Sequence, residues 1–211
     1  MLNRYADMAR CITRPVVLLS FLAVLSGCSL LSQAPQATDT AAGESPLPEA
    51  LKEGYQQGLV LLQDEKYQQA LLHWQTLTTD YADCPGCWTN LGISQYYLQN
   101  YPDSQTSFQT ALALDAQFCP ALKMKALAER QTGQFIQSEE SYLQALKCAP
   151  DDINLHYNLG ILYDLYLHDL AKALEHYRRA ADLMPEKDDT LAMWITDLER
   201  RNAEQVAGEG S

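Results

Sequence analysis

Along most of the chain, apolar and polar positions alternate with the period of a helix. Leu159, Leu162, Tyr163 and Tyr166 stand at i, i+3, i+4 and i+7, which puts all four on one helix face. The same arrangement returns at a fixed distance. Trp74, Phe108 and Tyr142 are spaced by 34 residues, and Tyr177 follows after 35. Small residues keep step with them at Gly58, Gly92, Ala126 and Gly160, and three positions after each aromatic come Leu77 and then the small Ala111, Ala145 and Ala180. Tyr67, Tyr101 and Phe135 repeat the same interval, as do Ala70, Ser104 and Ser138, with Ala173 one residue late.

Four units in register follow, with one residue inserted in the fourth. Each unit divides into two amphipathic stretches. Small residues let the two helices approach, and the aromatic fills the gap beside them. A single pair cannot bury its apolar face alone, so the units must stack into a solenoid. The expectation is an all-α chain of about nine helices and no strands. Its repeat domain spans 48–185, with units near 51–84, 85–118, 119–152 and 153–187. A capping helix at 187–202 follows, with Trp194, Ile195 and Leu198 inward and Glu199, Arg200 and Arg201 outward. The segment AEQVAGEGS, 203–211, is expected to be a disordered tail.

A unit of this length with small residues near positions 8, 20 and 27, aromatics at 17 and 24 and Pro at 32 resembles the tetratricopeptide repeat. Its best copies here are Gly133-Gln-Phe135…Ser138…Tyr142…Ala145…Pro150 and Asn158-Leu-Gly160…Tyr163…Ala173…Tyr177…Ala180…Pro185. The first two units depart from it, with Ala82 and Ala116 at the proline position and Pro85 and Pro120 a few residues later. The resemblance implies a right-handed solenoid whose concave face is lined by the first helix of each unit. Carried over position by position, it selects Tyr55, Asn90, Tyr96, Tyr97, Lys123, Arg130, Tyr157, Asn158 and Asp164 as a groove for a partner protein or peptide segment. A groove rich in Tyr and Asn with two cations suits peptide recognition. Members that hold a C-terminal carboxylate use a clamp of Lys and Asn, then Asn, then Lys and Arg on successive repeats. Here Asn90 fits its slot, but the first-repeat slots hold Tyr55 and Leu59, so that clamp is absent.

Catalytic chemistry finds no support. His73, His156, His168 and His176 form no HExxH, and neither a GxSxG turn nor a glycine-rich phosphate loop occurs. His73 and His176, beside the aromatic position on second helices, read as packing residues. Glu139 and Glu140 read as a solvated face. No catalytic residue, cofactor or metal is expected.

The first residues change the picture of where this solenoid works. Arg4, Arg10 and Arg14 precede the apolar run Val16–Gly27, which is too short to span a bilayer and ends in small residues. Leu25-Ser26-Gly27-Cys28 resembles the lipobox of bacterial lipoproteins. That resemblance implies a signal peptide at 1–27, diacylglycerol on the Cys28 sulfur, cleavage before Cys28 and an acyl chain such as palmitate on the freed amine. Ser29, in place of Asp, implies an outer-membrane address in a Gram-negative cell, with the body facing the oxidising periplasm. Residues 28–47, rich in Ala, Ser, Thr, Gln and Pro, are expected to form a lipidated, disordered tether. The whole chain carries a net charge of −12, and loss of three arginines and one aspartate with the signal makes it −14. Such a balance argues against nucleic-acid binding.

The compartment bears on the cysteines, of which CPGC at Cys84–Cys87 resembles active-site chemistry. A redox dithiol, half a zinc site and a braced turn are all open to two thiols at that spacing. On the repeat frame, Cys84 and Cys87 open the second unit, Cys119 opens the third and Cys148 lies near its end. Antiparallel pairing of the two helices makes Cys119 and Cys148 neighbours. Disulfides Cys84–Cys87 and Cys119–Cys148 are expected, with pairing of Cys84 or Cys87 to Cys119 as the alternative. The functional expectation is a lipid-anchored adaptor that binds other envelope proteins, of the kind that serve TonB-type systems or act as pilotins for pilus secretins. A thiol-disulfide or metal-handling role for Cys84 and Cys87 is the alternative.

Overall fold

The computed structural model describes residues 47–209. The signal segment, Cys28 and the tether up to residue 46 lie outside the described residues. Nine α-helices and no strand are present among those described: α1 Glu49–Gln63, α2 Tyr67–Asp80, α3 Pro85–Tyr97, α4 Tyr101–Leu114, α5 Cys119–Gln131, α6 Phe135–Cys148, α7 Ile153–Leu162, α8 Leu170–Leu183 and α9 Asp189–Glu209. Each odd helix packs on the even helix that follows it, and α9 packs on α8. Helix α1 also packs on α3, and α3 on α5, whereas no comparable packing joins α2 to α4 or α4 to α6. In the first three units the first helices therefore form the tighter, inner layer of the stack, and α7 joins it through side-chain bonds from Lys123 to Asp152 and from Arg130 to Asn158.

Helix boundaries follow from local chemistry. Pro85 and Pro120 lie in the first turns of α3 and α5, where a missing N–H costs nothing. Asp152 accepts from the amides of Asn154 and Leu155 to cap α7, and Asp169 accepts from Lys172 to cap α8. Each first helix ends at a left-handed residue: Glu65, Gln99, Gly133 and His168. The first three sit 34 apart and the last 35 on. A backbone bond closes each end, from Lys66 to Leu61, Asn100 to Gln95 and Gln134 to Glu129, all five residues apart. In the fourth unit the bond runs six residues, from Asp169 to Tyr163, across a π-helical turn at Tyr163–Leu167. The inserted residue is absorbed there, so that α8 returns to register.

The repeated aromatic is the centre of each pair. Trp74, Phe108 and Tyr142 are completely buried and Tyr177 is 1 % exposed. In three units the ring lies on a glycine of the facing helix: Trp74 on Gly58, Phe108 on Gly92 and Tyr177 on Gly160. A Cβ at any of these glycines would overlap the ring. Burying one such side chain is worth about 1.5–3 kcal/mol, and the rings join into clusters that run from unit to unit.

Two disulfides stand in the turns. Cys84 and Cys87 are joined with Cα atoms 5.3 Å apart, and Cys119 and Cys148 with Cα atoms 6.0 Å apart. Closing the longer segment stabilises the fold by about 3–4 kcal/mol at most, while the four-residue ring only stiffens a corner.

The C-terminal end departs from expectation. Helix α9 continues through Glu209, well past 202, into the stretch expected to be disordered. Ala203, Glu204, Gln205 and Ala207 are good helix formers, no proline interrupts them, and Arg200 bonds Glu204 one turn on. Leu191 and Leu198 are buried, but Trp194 is 38 % exposed and Arg201 turns inward.

The close approach of ring and glycine is testable. Gly160→Ala and Gly92→Ala are each expected to lower unfolding stability by about 1–3 kcal/mol, read by urea denaturation. Unchanged midpoints would show that the helices have room to spare.

Candidate functional site

The inner layer carries the candidate groove residues, and the structure shows what each one meets. Tyr55 of α1 packs edge-on against Trp74 at 5.1 Å and faces Asn90 of α3. Asn90 is 1 % exposed, and neither of its amide atoms completes a hydrogen bond. Burial raises the Tyr55 pKa, with Asn90 acting in the opposite direction. One unit on, Tyr96 accepts from Gln131 at 3.4 Å. Arg130 of α5 donates to the Asn158 oxygen of α7 at 3.3 Å. Asp164, in the π turn, accepts from Arg201 of α9. Tyr157 stacks on Trp194 at 5.9 Å, so α9 supplies the last rung.

Tyr97 and Lys123 stand apart from this line. Tyr97 is 43 % exposed and stacks at 4.5 Å on Tyr67, the first residue of α2. Phe135 and Tyr166 repeat that stack two units later, at 4.6 Å. Lys123 is bound to Asp152, the cap of α7. Burial works to raise the Asp152 pKa, but Lys123 and the two capped amides outweigh it and hold the carboxyl below its usual range. Lys123 thus serves the junction between the third and fourth units.

Arg201 and Trp194 show how α9 enters the site. They lie on the same side of the helix as Leu191 and Leu198, so helical spacing carried the signal for Arg201 although its charge argued for solvent. Glu139 likewise leaves the solvated face assigned to it. It accepts from the Tyr163 hydroxyl and pairs with Lys172 at 3.4 Å, while Glu140 is exposed.

Between the layers, one pair of positions is polar in successive units. Ser107 donates to Gln95 at 2.7 Å, and Ser141 to the buried Glu129 at 2.7 Å, where Lys125 also binds. The corresponding residues of the fourth unit are Tyr163 and His176, whose rings stack at 5.5 Å. His176 also lies 3.0 Å, nitrogen to nitrogen, from His156. His156 Nε2 lies 2.9 Å from the Pro150 carbonyl. A carbonyl only accepts, so Nε2 carries the proton, and His156 Nδ1 accepts from His176. His73 is tied to the Gly54 carbonyl at 2.6 Å. Among the described residues no group of three or more His, Cys, Asp or Glu side chains is arranged to hold a metal ion. No described helix is long and apolar enough to cross a membrane.

Residues 89–153 and 141–180 match two models described as Tetratricopeptide repeat. The fold is a tetratricopeptide-repeat solenoid. MamA from Desulfovibrio magneticus RS-1, residues 41 to its end, is similar, with 21% identity and a TM-score of 0.65 over 77% of this chain and 91% of that one. TTC0263, a thermophilic TPR protein of Thermus thermophilus, shares 20% identity, with a TM-score of 0.61 over 72% of this chain and 82% of its own. The first TPR of Spaghetti (RPAP3), solved with the HSP90 peptide SRMEEVD, shares 15% identity, with a TM-score of 0.52 over 54% of this chain and 90% of its own. No curated protein matches the sequence. At these identities the likeness to the solved structures speaks for the fold alone.

The histidine pair gives the fourth unit a pH dependence of known sign. Burial, the neighbouring His156 and Lys172 lower the His176 pKa, with Glu175 and Glu139 pulling the other way. The unfolded chain therefore takes up a proton near pH 6.5 that the folded chain resists. Stability is full above that pH and falls as the solution is acidified through it. His176→Gln is expected to flatten the fall of the melting temperature between about pH 7.5 and 5. An identical fall in wild type and variant would remove His176 from the account.

Proposed function

We propose that this protein is a scaffold that holds a segment of another protein along its inner helix layer, anchored by lipid at Cys28 and working in the cell envelope. The observation that carries the reading is the continuous inner face from Tyr55 to Trp194. Aromatic side chains recur along it, between amide and guanidinium groups contributed by successive first helices. Large, stiff aromatics provide contact area at little entropic cost, and the polar groups fix register. Tetratricopeptide-repeat proteins typically act as protein-binding scaffolds. One solved structure of similar fold holds an HSP90 peptide.

The envelope address rests on the sequence Leu25-Ser26-Gly27-Cys28 and on two disulfides, which persist where thiols are oxidised. On this reading the partner belongs to an envelope assembly, such as a TonB-type system or a pilus secretin. Cys87 is wholly buried, and the Cys84 sulfur accepts from the Cys87 amide, as a helix cap does. This favours a structural corner over the thiol-exchange alternative.

A photocrosslinking residue placed at Tyr96 or Tyr157 in cells is expected to yield adducts with a distinct partner, and one at Leu72, exposed on α2, is not. Equal adducts from all three positions would defeat the groove. The anchor is checked separately by feeding labelled palmitate: incorporation is expected in wild type and lost in Cys28→Ser, and label retained in the variant would overturn it.

A further inference from the structure

The basic residues of the first helices, and Arg201 of α9, are paired with carboxylates, with one exception. Lys52 pairs with Glu49, Lys123 with Asp152, Lys125 with Glu129, and Arg201 with Asp164. Arg130 alone among the described basic residues of the first helices has no carboxylate partner. Its hydrogen bond goes to the neutral oxygen of Asn158. The guanidinium is half-buried, and its charge is felt by the rings around it. Burial raises the pKa of Tyr96, Tyr142 and Tyr177, and Arg130 acts against that rise at all three. An uncompensated guanidinium among hydroxyls and an amide, itself partly buried, favours an anion.

We propose that Arg130 receives the side-chain carboxylate of an aspartate or glutamate within the bound segment. This rests on the groove reading above and names the chemistry of its occupant. A side chain is favoured over a chain terminus by what flanks the guanidinium. Tyr96 continues the face on one side, Tyr157 and Trp194 on the other, so the peptide runs past Arg130 in both directions. A terminal carboxylate would need several donors converging where the chain stops, and the other inner cations are already engaged. Planar guanidinium also presents paired donors to both carboxylate oxygens, which an ammonium group does not.

The test uses the full chain in detergent, immobilised and offered a displayed library of random linear peptides. Selected sequences are expected to share an Asp or Glu flanked by apolar residues. Replacing that residue by Asn or Gln in a synthetic peptide should weaken binding roughly ten- to a hundredfold, the value of a charge-assisted hydrogen bond. Arg130→Gln should remove most of that difference, Arg130→Lys part of it, and Lys123→Gln none, with thermal melts confirming that each variant is folded. Amidating the peptide's C-terminus should change nothing. Selected peptides without an acidic residue, or equal binding of acid and amide forms, would overturn this inference while leaving the groove intact. Loss of binding on amidation would overturn it in favour of a terminal carboxylate. Failure to select any peptide would overturn both.

Discussion

Everything in this molecule depends on how closely the two helices of a unit approach, and that is set by an aromatic ring lying on a residue with little or no side chain. Trp74 on Gly58, Phe108 on Gly92 and Tyr177 on Gly160 are variants of one contact. The ring supplies the buried area that a short helix pair lacks. The glycine supplies the distance at which that area can be buried. Glycine in a helix costs about 1 kcal/mol in propensity, and a ring that fills the space above it recovers more than this. Because the aromatic recurs at steps of 34, 34 and 35 residues, successive units repeat one packing.

Closeness of the first helices then decides the electrostatics of the inner face. Side chains that would point into solvent on an isolated helix meet those of the next unit. Lys123 reaches Asp152, Arg130 reaches Asn158 and Arg201 reaches Asp164, each 28 or more residues apart in sequence. Partly buried pairs of this kind lock neighbouring units together more through the cost of breaking them than through the gain of making them. They also decide which groups remain for a partner. A residue with its own carboxylate is occupied before any ligand arrives, and this separates Lys123 from Arg130 although the sequence offers both as cations of one surface.

The same distinction marks how far the sequence could be read. Repeat, helix order and core were legible because each is a local pattern restated four times, and a periodicity that survives three restatements has no competing explanation. The inserted residue was visible as a 35-residue step, but its accommodation in a π turn was not, since that depends on the hydrogen bond from Asp169 to Tyr163. The candidate groove residues stand on the first helices, with Asp164 in the π turn that continues α7, because they share repeat positions. Their pairing was not legible, because it arises between units whose relative placement no single unit encodes. Arg201 shows the limit from the other side: its helical spacing pointed inward and its charge outward, and a waiting carboxylate at Asp164 settled the conflict.

An acidic protein with a cation at the centre of its binding face raises an apparent contradiction if its partner is also acidic. The net charge of −12 acts at long range, whereas recognition happens at contact. At physiological ionic strength charges are screened over about 8 Å, which is less than the span of one helix pair. At contact Arg130 meets the Asn158 amide, and its charge acts on Tyr96, Tyr142 and Tyr177. The global charge therefore sets solubility and the rate of encounter, while the local arrangement sets what is held. An acidic side chain that reaches Arg130 exchanges water for donors fixed in place by the stacking of units. That placement follows from the ring-on-glycine contacts that bring the first helices together.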